Sequence, residues 1–324
     1  MLHARAFTLA AVLVVGALVV LPFVADKFAV QFATRVLIMA LFAMSLNLLV
    51  GQAGLVSLGH AAFFGSAGYC LALYSPQDHA ANFWTSLPLA MAAAGALALV
   101  IGALVVRIGG VYFIMATLAF AQMFYFLMHD SAIAGGSDGM YVYFRPQARL
   151  FGWQPFDLER FADLYFVVLV LAVVVFVCLA VLRASLFGRV IAGIRVNEQR
   201  MRSIGFATLR YKLVCFVIAG VLAGLAGYLA TVQYGVVNPD MLGWQLSGAV
   251  LMMVILGGMG TLAGPVIGAA VLLSLELGLQ SLPDTGGVSW GKHWQLPLGI
   301  VIVLVALYLP QGIARPPRGE VLRE

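Results

Sequence analysis

From residue 162 to 182 the chain reads ADLYFVVLVLAVVVFVCLAVL, with one acid near its start and no other charge. As an α-helix this stretch is about 30 Å long, the thickness of a bilayer's hydrocarbon core, and it lacks the polar face that a soluble helix needs. The pattern recurs along the chain. Uncharged or nearly uncharged runs at residues 6–25, 30–50, 55–74, 83–106, 111–128, 162–182, 212–233, 244–258, 262–280 and 295–310 predict about ten membrane-crossing helices. With 63% of its 324 residues hydrophobic and 10% charged, and a mean hydropathy of +1.03, the chain lies outside the range of soluble domains. The expected fold is all-α and polytopic, a single transmembrane domain over residues 1–324. Two glycine-rich stretches, residues 51–68 and 257–268, predict helices that are broken or re-entrant, which a membrane tolerates only where the backbone faces protein or a water-filled path.

The first apolar run follows Arg5 in the manner of a secretory signal. It is too long for a signal's apolar core and further spans follow, so it is read as a retained helix. Cys70, Cys178 and Cys215 fall inside apolar runs without metal-ligand spacing and read as small buried hydrophobes. A net charge of +5 suggests nucleic acid only where a soluble basic domain carries it, and none is present.

Topology explains the charge better. With the N-terminus inside, alternate loops divide Lys and Arg twelve to six in favour of the cytoplasmic side, which places both termini there. Arg35 then falls inside the second run, either snorkelling outward or marking a helix that starts later. The longest inner loop, residues 183–211, holds half of the inner bases; the longest outer loop, residues 129–163, mixes both signs with aromatics and Gly-Gly-Ser-Asp-Gly and is expected to form an ordered lip.

Inside the inner loop, Phe187, Val190, Ile191 and Ile194 recur at helical spacing, and Met201 and Ile204 continue after a polar break at Asn197 and Glu198. Two short amphipathic helices are expected, with Ser185 as an N-cap and Gly205 as the stop. Such helices suit either an interface with anionic membrane lipid or a protein partner.

Gly188-Arg189, Ile194-Arg195, Asn197-Glu198, Gly205, Tyr211-Lys212 and the AGVLAGLAG stretch at 219–227 resemble the cytoplasmic loop and following span of the branched-chain amino acid ABC importer permeases. Four further blocks resemble the same family in the same order: NLLVGQAGLVSLGH at 47–60, YFIMATLAFAQ at 112–122, GGSDG at 135–139 and GGMGTLAGPVIG at 257–268. The match is closer to the permease subunit that bears the Gly-Gly-Ser-Asp-Gly loop than to its sister. The resemblance implies a bacterial inner-membrane permease subunit of an ATP-driven importer for branched-chain or similar hydrophobic amino acids. Its implied partners are a homologous second permease, two ATP-binding subunits and a soluble substrate-binding protein, with ATP and Mg carried by the partners and no cofactor in this chain. The loop would hold a coupling helix, with Gly188, Arg189, Ile191, Ile194, Arg195, Glu198, Met201 and Gly205 as candidates. Ile191, Ile194 and Met201 would supply an apolar knob, and Arg189, Arg195 and Glu198 would fix its register.

For the substrate pathway the candidates are Asn47, Gln52, Gly54, Ser57, His60, Thr117 and Gln122, polar or flexible positions inside apolar runs, where a polar group needs a partner or a wet path. Each alone is better read as an interhelical hydrogen bond; as a set they are the pathway candidates. Gly136, Ser137 and Asp138 are candidates for an outer gate or a docking point, or simply a structural turn. Gly220, Gly224, Gly260, Gly264 and Gly268 stand at four-residue spacing and are expected to let helices pack closely. Glu276, an acid in a late run, is either functional or a solvated rim residue.

Residues 286–292 match the first seven positions of a phosphate-binding loop, but His293 stands where Ser or Thr should hold magnesium, and no strand precedes it. No paired acids, nucleophile triad or metal spacing marks an intramembrane enzyme. The expectation is a transport subunit with no catalytic residue, no metal and no ATPase of its own. A proton- or sodium-coupled secondary transporter using Glu276 or His60 is the competing class. Within the ABC reading, urea, short amides and aromatic acids are alternative cargo.

Overall fold

The computed structural model describes residues 14–76, 78–149, 154–281, 293–309 and 311–314. The chain is mostly helical. The helices are α1 (Val14–Val24), α2 (Lys27–Asn47), α3 (His60–Tyr74), α4 (Phe83–Val105), α5 (Val111–His129), α6 (Phe161–Ala184), α7 (Leu186–Val196), α8 (Glu198–Ser203), α9 (Thr208–Tyr234), α10 (Trp244–Gly257), α11 (Gly264–Gln280) and α12 (Gln295–Tyr308). The segments α2 with its extension to Ala53, α4, α5, α6 and α9 are long and apolar enough to cross a membrane, and α1, α3, α10, α11 and α12 are shorter apolar helices.

Small residues place α9 at the centre. It packs against α3, α4 and α2, and the contacts run along its glycines. Gly220 faces Ala98 and Phe63, Gly224 faces Ala94 and Ala67, and a side chain at Gly227 would overlap the Phe64 carbonyl. With no bulk in between, backbones approach and each pair of helices gains close dispersion contact, which is what holds apolar helices together in lipid. Ser86 and Tyr228 add a buried hydroxyl pair at 2.7 Å between α4 and α9.

Two helices are interrupted at one end of the bundle. α2 runs on into a π turn, Leu48–Ala53, closed by Gly54 at φ +69°, and α3 restarts at His60. A side chain at Gly59 would overlap the Thr117 carbonyl, two turns into α5, so α3 begins well inside the bundle. Between α10 and α11, Gly258 (φ +114°) and Gly260 (φ +79°) take conformations that other residues rarely adopt. The segment 311–314 returns to the same place, Ile313 and Ala314 donating to the carbonyls of Leu256 and Gly257. α7 and α8 lie at this end too.

At the opposite end, β1 (Met140–Tyr141) pairs antiparallel with β2 (Val236–Val237) just beyond α9. Arg145 donates to the carbonyls of Leu158, Glu159 and Gln233 and stacks on the Phe161 ring, tying the 130–160 loop to α6 and α9. The helix α2 starts at Lys27, earlier than the expected 30, so Arg35 lies well within it; its partner is Glu276 of α11, at 3.5 Å. The N-terminal part of the first expected span and residues 286–292 lie outside the described residues.

Candidate functional site

The residues singled out from sequence gather in three places. The first is the interrupted end. Asn47, at the foot of α2, donates its amide to the Thr261 carbonyl (2.8 Å) and accepts from the Gly260 amide (3.0 Å). It satisfies two backbone groups that the break between α10 and α11 leaves without helical partners. Gly260 therefore serves a left-handed turn and lies outside any helix, while Gly264 and Gly268 lie on α11 against α10. The regular four-residue spacing hid that difference.

Ser57, His60 and Thr117 form an internal polar knot. Thr117 Oγ1 accepts from the Leu58 amide (3.3 Å), Ser57 Oγ accepts from the Gly59 amide (3.3 Å), and His60 Nε2 meets Ser45 Oγ at 2.9 Å. The His60 ring is fully buried, stacked on Phe42 and edge-on to Phe63. Ser247 of α10 caps α3 by accepting from the Ala61 amide at 2.8 Å. These groups pin the start of α3 to α2, α5 and α10. Ser45 and Ser247, absent from the sequence candidates, belong to the same knot. Ser45, two positions before Asn47 in an apolar run, was the readable signal; Ser247 carried none.

Gln122 differs from that knot. It lies half-buried on α5, with Met115, Met123 and Phe126 exposed beside it. Helix α5 is also the least covered of the long helices: 17% of its most apolar stretch is buried, against 83% for α2. In a membrane such an open apolar face is what lipid covers, and the amide of Gln122 is the group in it that needs a partner or a wet path. Gln52 is half-buried in the π turn and Gly54 is exposed beside it.

The second place is the α7–α8 pair. Ser185 caps α7, accepting from the Gly188 amide at 3.3 Å, and Asn197 caps α8, accepting from the Arg200 amide at 2.9 Å. Gly205 (φ +99°) ends α8 in a Schellman turn, with Phe206 donating to the Met201 carbonyl and Gly205 to that of Arg202. Gly188 is required because a side chain there would press on the carbonyls of Leu182 and Arg183.

The faces of this pair differ from the sequence expectation. Ile191 and Ile194 are 1% and 3% exposed, facing the bundle and not a partner. Met201 is folded against Gly193 of the neighbouring helix. The apolar side chains that do project are Leu186, Val196 and Ile204, 75%, 68% and 63% exposed. A helical period shows which residues share a face but not which face is covered, and here the bundle takes the isoleucines.

Glu198 is engaged internally: its carboxylate accepts from Arg202 (2.7 Å), Thr208 (3.0 Å) and Lys212, joining α8 to the start of α9. Burial alone would raise its pKa, but the hydrogen bonds from Lys212 and Arg202 and the Lys212 charge outweigh burial, so the group titrates below its ordinary value. A depressed folded pKa means that this contribution is present above the unfolded value and lost as pH falls through the folded one. Melting temperature is expected to drop as pH falls below about 4.5, and Glu198→Gln to flatten that part of the curve. A wild-type profile parallel to that of the variant would contradict the pairing. Arg189 is exposed, whereas Arg195, grouped with it from sequence as a charge setting a partner's register, instead turns its guanidinium to the bundle and donates to the Gly51 carbonyl in the π turn.

The third place is the 130–160 loop. Gly135, Gly136 and Gly139 all take positive φ, and Ser137 donates to its neighbour Asp138 at 3.2 Å. Asp138 is exposed, and Ile133, Tyr141 and Tyr143 project nearby. Glu276, besides its pairing with Arg35, accepts from Gln280 at 3.2 Å.

A family model described as the permease component of the branched-chain amino acid transport system matches residues 28–306. The high-affinity branched-chain amino acid transport system permease protein LivM of Salmonella typhimurium LT2 is 33% identical over 320 residues, covering 93% of this chain and 73% of LivM. The ribose import permease RbsC of Escherichia coli K12 is 28% identical over 227 residues, covering 68% of this chain and 67% of its own. LivH of Salmonella typhimurium, a permease of the same transport system as its LivM, is 27% identical over 139 residues, 43% of each chain. No solved structure matches the chain. The matched region takes in the interrupted helices, the α7–α8 pair and the 130–160 loop, and on that extent of likeness the chain belongs to the family of branched-chain amino acid transport permease components.

Proposed function

We propose that this chain is one of two permease subunits in an ATP-driven importer of branched-chain or similar hydrophobic amino acids. The observation that carries the coupling part is the exposure of Leu186, Val196 and Ile204 along the α7–α8 segment, with Arg189 and Arg200 exposed on the same two helices, which this reading joins into one docking ridge. An apolar ridge rimmed by free charge fits a groove on another protein, with the charges setting its register. In this reading the end bearing α7 and α8 is cytoplasmic, ten helices cross the bacterial inner membrane, and two ATP-binding subunits carrying ATP and Mg dock on the ridge.

The open face of α5, with Gln122 in it, meets the second permease and lines the path between the two. Asn47, Ser57, His60 and Thr117 then hold the interrupted helices in place beside that path. At the other end, Asp138 and the projecting Tyr141 and Tyr143 receive a soluble binding protein, whose pocket does most of the selection. The ribose permease among the relatives supports that division, since a related membrane subunit serves a chemically different cargo.

A secondary transporter needs a membrane-embedded group free to take up a proton or sodium. Glu276 is paired with Arg35, while His60 meets Ser45 through Nε2 and keeps its buried Nδ1 without a partner among the described residues, so of the two groups named for that role Glu276 is the one fully engaged.

Val196→Glu with Ile204→Glu tests the ridge. Both side chains are exposed, so folding is expected to survive, as surface changes away from packing cost about 0.5 kcal/mol or less. Co-purification of the ATP-binding subunit is expected to fall at least tenfold, roughly 1.4 kcal/mol. Wild-type recovery of that subunit with the double variant would refute the ridge as the docking surface.

A further inference from the structure

Arg195 stands where three irregular pieces of backbone meet. Its guanidinium donates to the Gly51 carbonyl in the π turn. Its stem lies against Gly54, where an added side chain would come within 3.1 Å of Arg195 Cγ, and the same guanidinium lies 3.5 Å from where a side chain on Gly260 would begin. Asn47 closes the ring by bonding Gly260 and Thr261. One cation of α7 thus touches both interruptions in the bundle, and one amide joins the interruptions to each other.

The backbone here explains why such a contact matters. The π turn replaces α-helical bonds with wider-spaced ones and the two positive-φ glycines interrupt helical bonding, so the geometry here follows in part whatever fills the carbonyls and amides left over. Glycine also permits the change of dihedral that a hinge requires. Both arginines of α7, Arg189 and Arg195, are exposed as whole residues, and Arg195 is the one whose guanidinium reaches the π turn.

We propose that Arg195 is a transmission latch: through Gly51 and the Asn47 bridge it makes the end of α2 and the α10–α11 break follow any displacement of α7. The proposal rests on the permease reading for the source of that displacement, the ATP-binding subunit. Arg195 is a positioning residue here, acting on the pathway through backbone and not by touching solute.

The test uses the complete complex in proteoliposomes, with ATP hydrolysis and leucine uptake measured together. Arg195→Met keeps the stem and removes the guanidinium. Assembly and hydrolysis are expected to stay near wild type while leucine moved per ATP falls about tenfold, within the usual range for coupling between sites. Arg195→Lys is expected to restore part of the ratio, a rescue that a purely packing role would not show. Asn47→Ala combined with Arg195→Met is expected to add little to either alone, since both break one path.

An unchanged leucine-to-ATP ratio in Arg195→Met, or fully additive losses in the pair, would overturn the latch. A wild-type complex that hydrolyses ATP without ATP-dependent uptake would overturn the permease reading itself. Hydrogen exchange on the wild-type complex gives a second readout that does not depend on a variant folding. With a non-hydrolysable ATP analogue, amides in residues 48–59 and 257–263 are expected to change together with those in 191–197; a change confined to α7 would refute the latch.

Discussion

Gly268→Leu is expected to abolish the folded protein. Even the first carbon of a side chain at this position would overlap the Met253 carbonyl of α10 and lie 2.9 Å from the Gly257 amide. Gly257 has the reciprocal constraint, facing the Gly264 carbonyl, so α10 and α11 touch backbone to backbone along this line. Extra bulk in a packed core ordinarily costs about 1–3 kcal/mol through shifted side chains. Here the obstacle is main chain on both sides, so the helices must separate, and native proteins have only about 5–15 kcal/mol in hand. The readout is the monodisperse peak on size-exclusion chromatography in mild detergent. Gly278→Leu is the control: it lies on the same helix with nothing within 4 Å of an added carbon, and its peak is expected to match wild type. A normal peak for Gly268→Leu would show that the helix pair is looser than described.

Asn47→Leu is the second large effect, and its cause is polar. Leucine is close in size, but it leaves the Gly260 amide and the Thr261 carbonyl without partners in a part-buried site. Each orphaned group costs about 1–3 kcal/mol. Melting temperature is expected to fall by several degrees, and hydrogen exchange at residues 257–263 to accelerate with α9 unaffected. Uniform acceleration across the bundle would mean that Asn47 supports the whole core and not this break alone.

Much of the fold was readable because lipid imposes a simple rule: long uncharged runs become helices. Residues 162–182 and 212–233 fall within α6 and α9. The caps at Ser185 and the stop at Gly205 were readable because capping is local chemistry. The resemblance identified the family, which the match over residues 28–306 supports. What sequence could not supply was partnership across distance. Asn47 and Thr261 are 214 positions apart, Arg35 and Glu276 are 241 apart, and nothing near either residue names the other. Periodicity marked Ile191 and Ile194 as one face of α7 but did not show that the bundle covers it. Gly227 makes a closer backbone contact than Gly220 or Gly224, yet the spacing pattern favoured the latter two.

The central claim is that this chain moves solute only as part of an ATP-driven assembly. The most direct test reconstitutes it into liposomes alone and with a second permease, the ATP-binding subunits and a loaded binding protein, then follows leucine uptake with and without internal ATP. The account predicts uptake only in the full set with ATP, and none from this chain alone. Uptake by the chain alone in ATP-free liposomes, driven by a proton or sodium gradient, would contradict it.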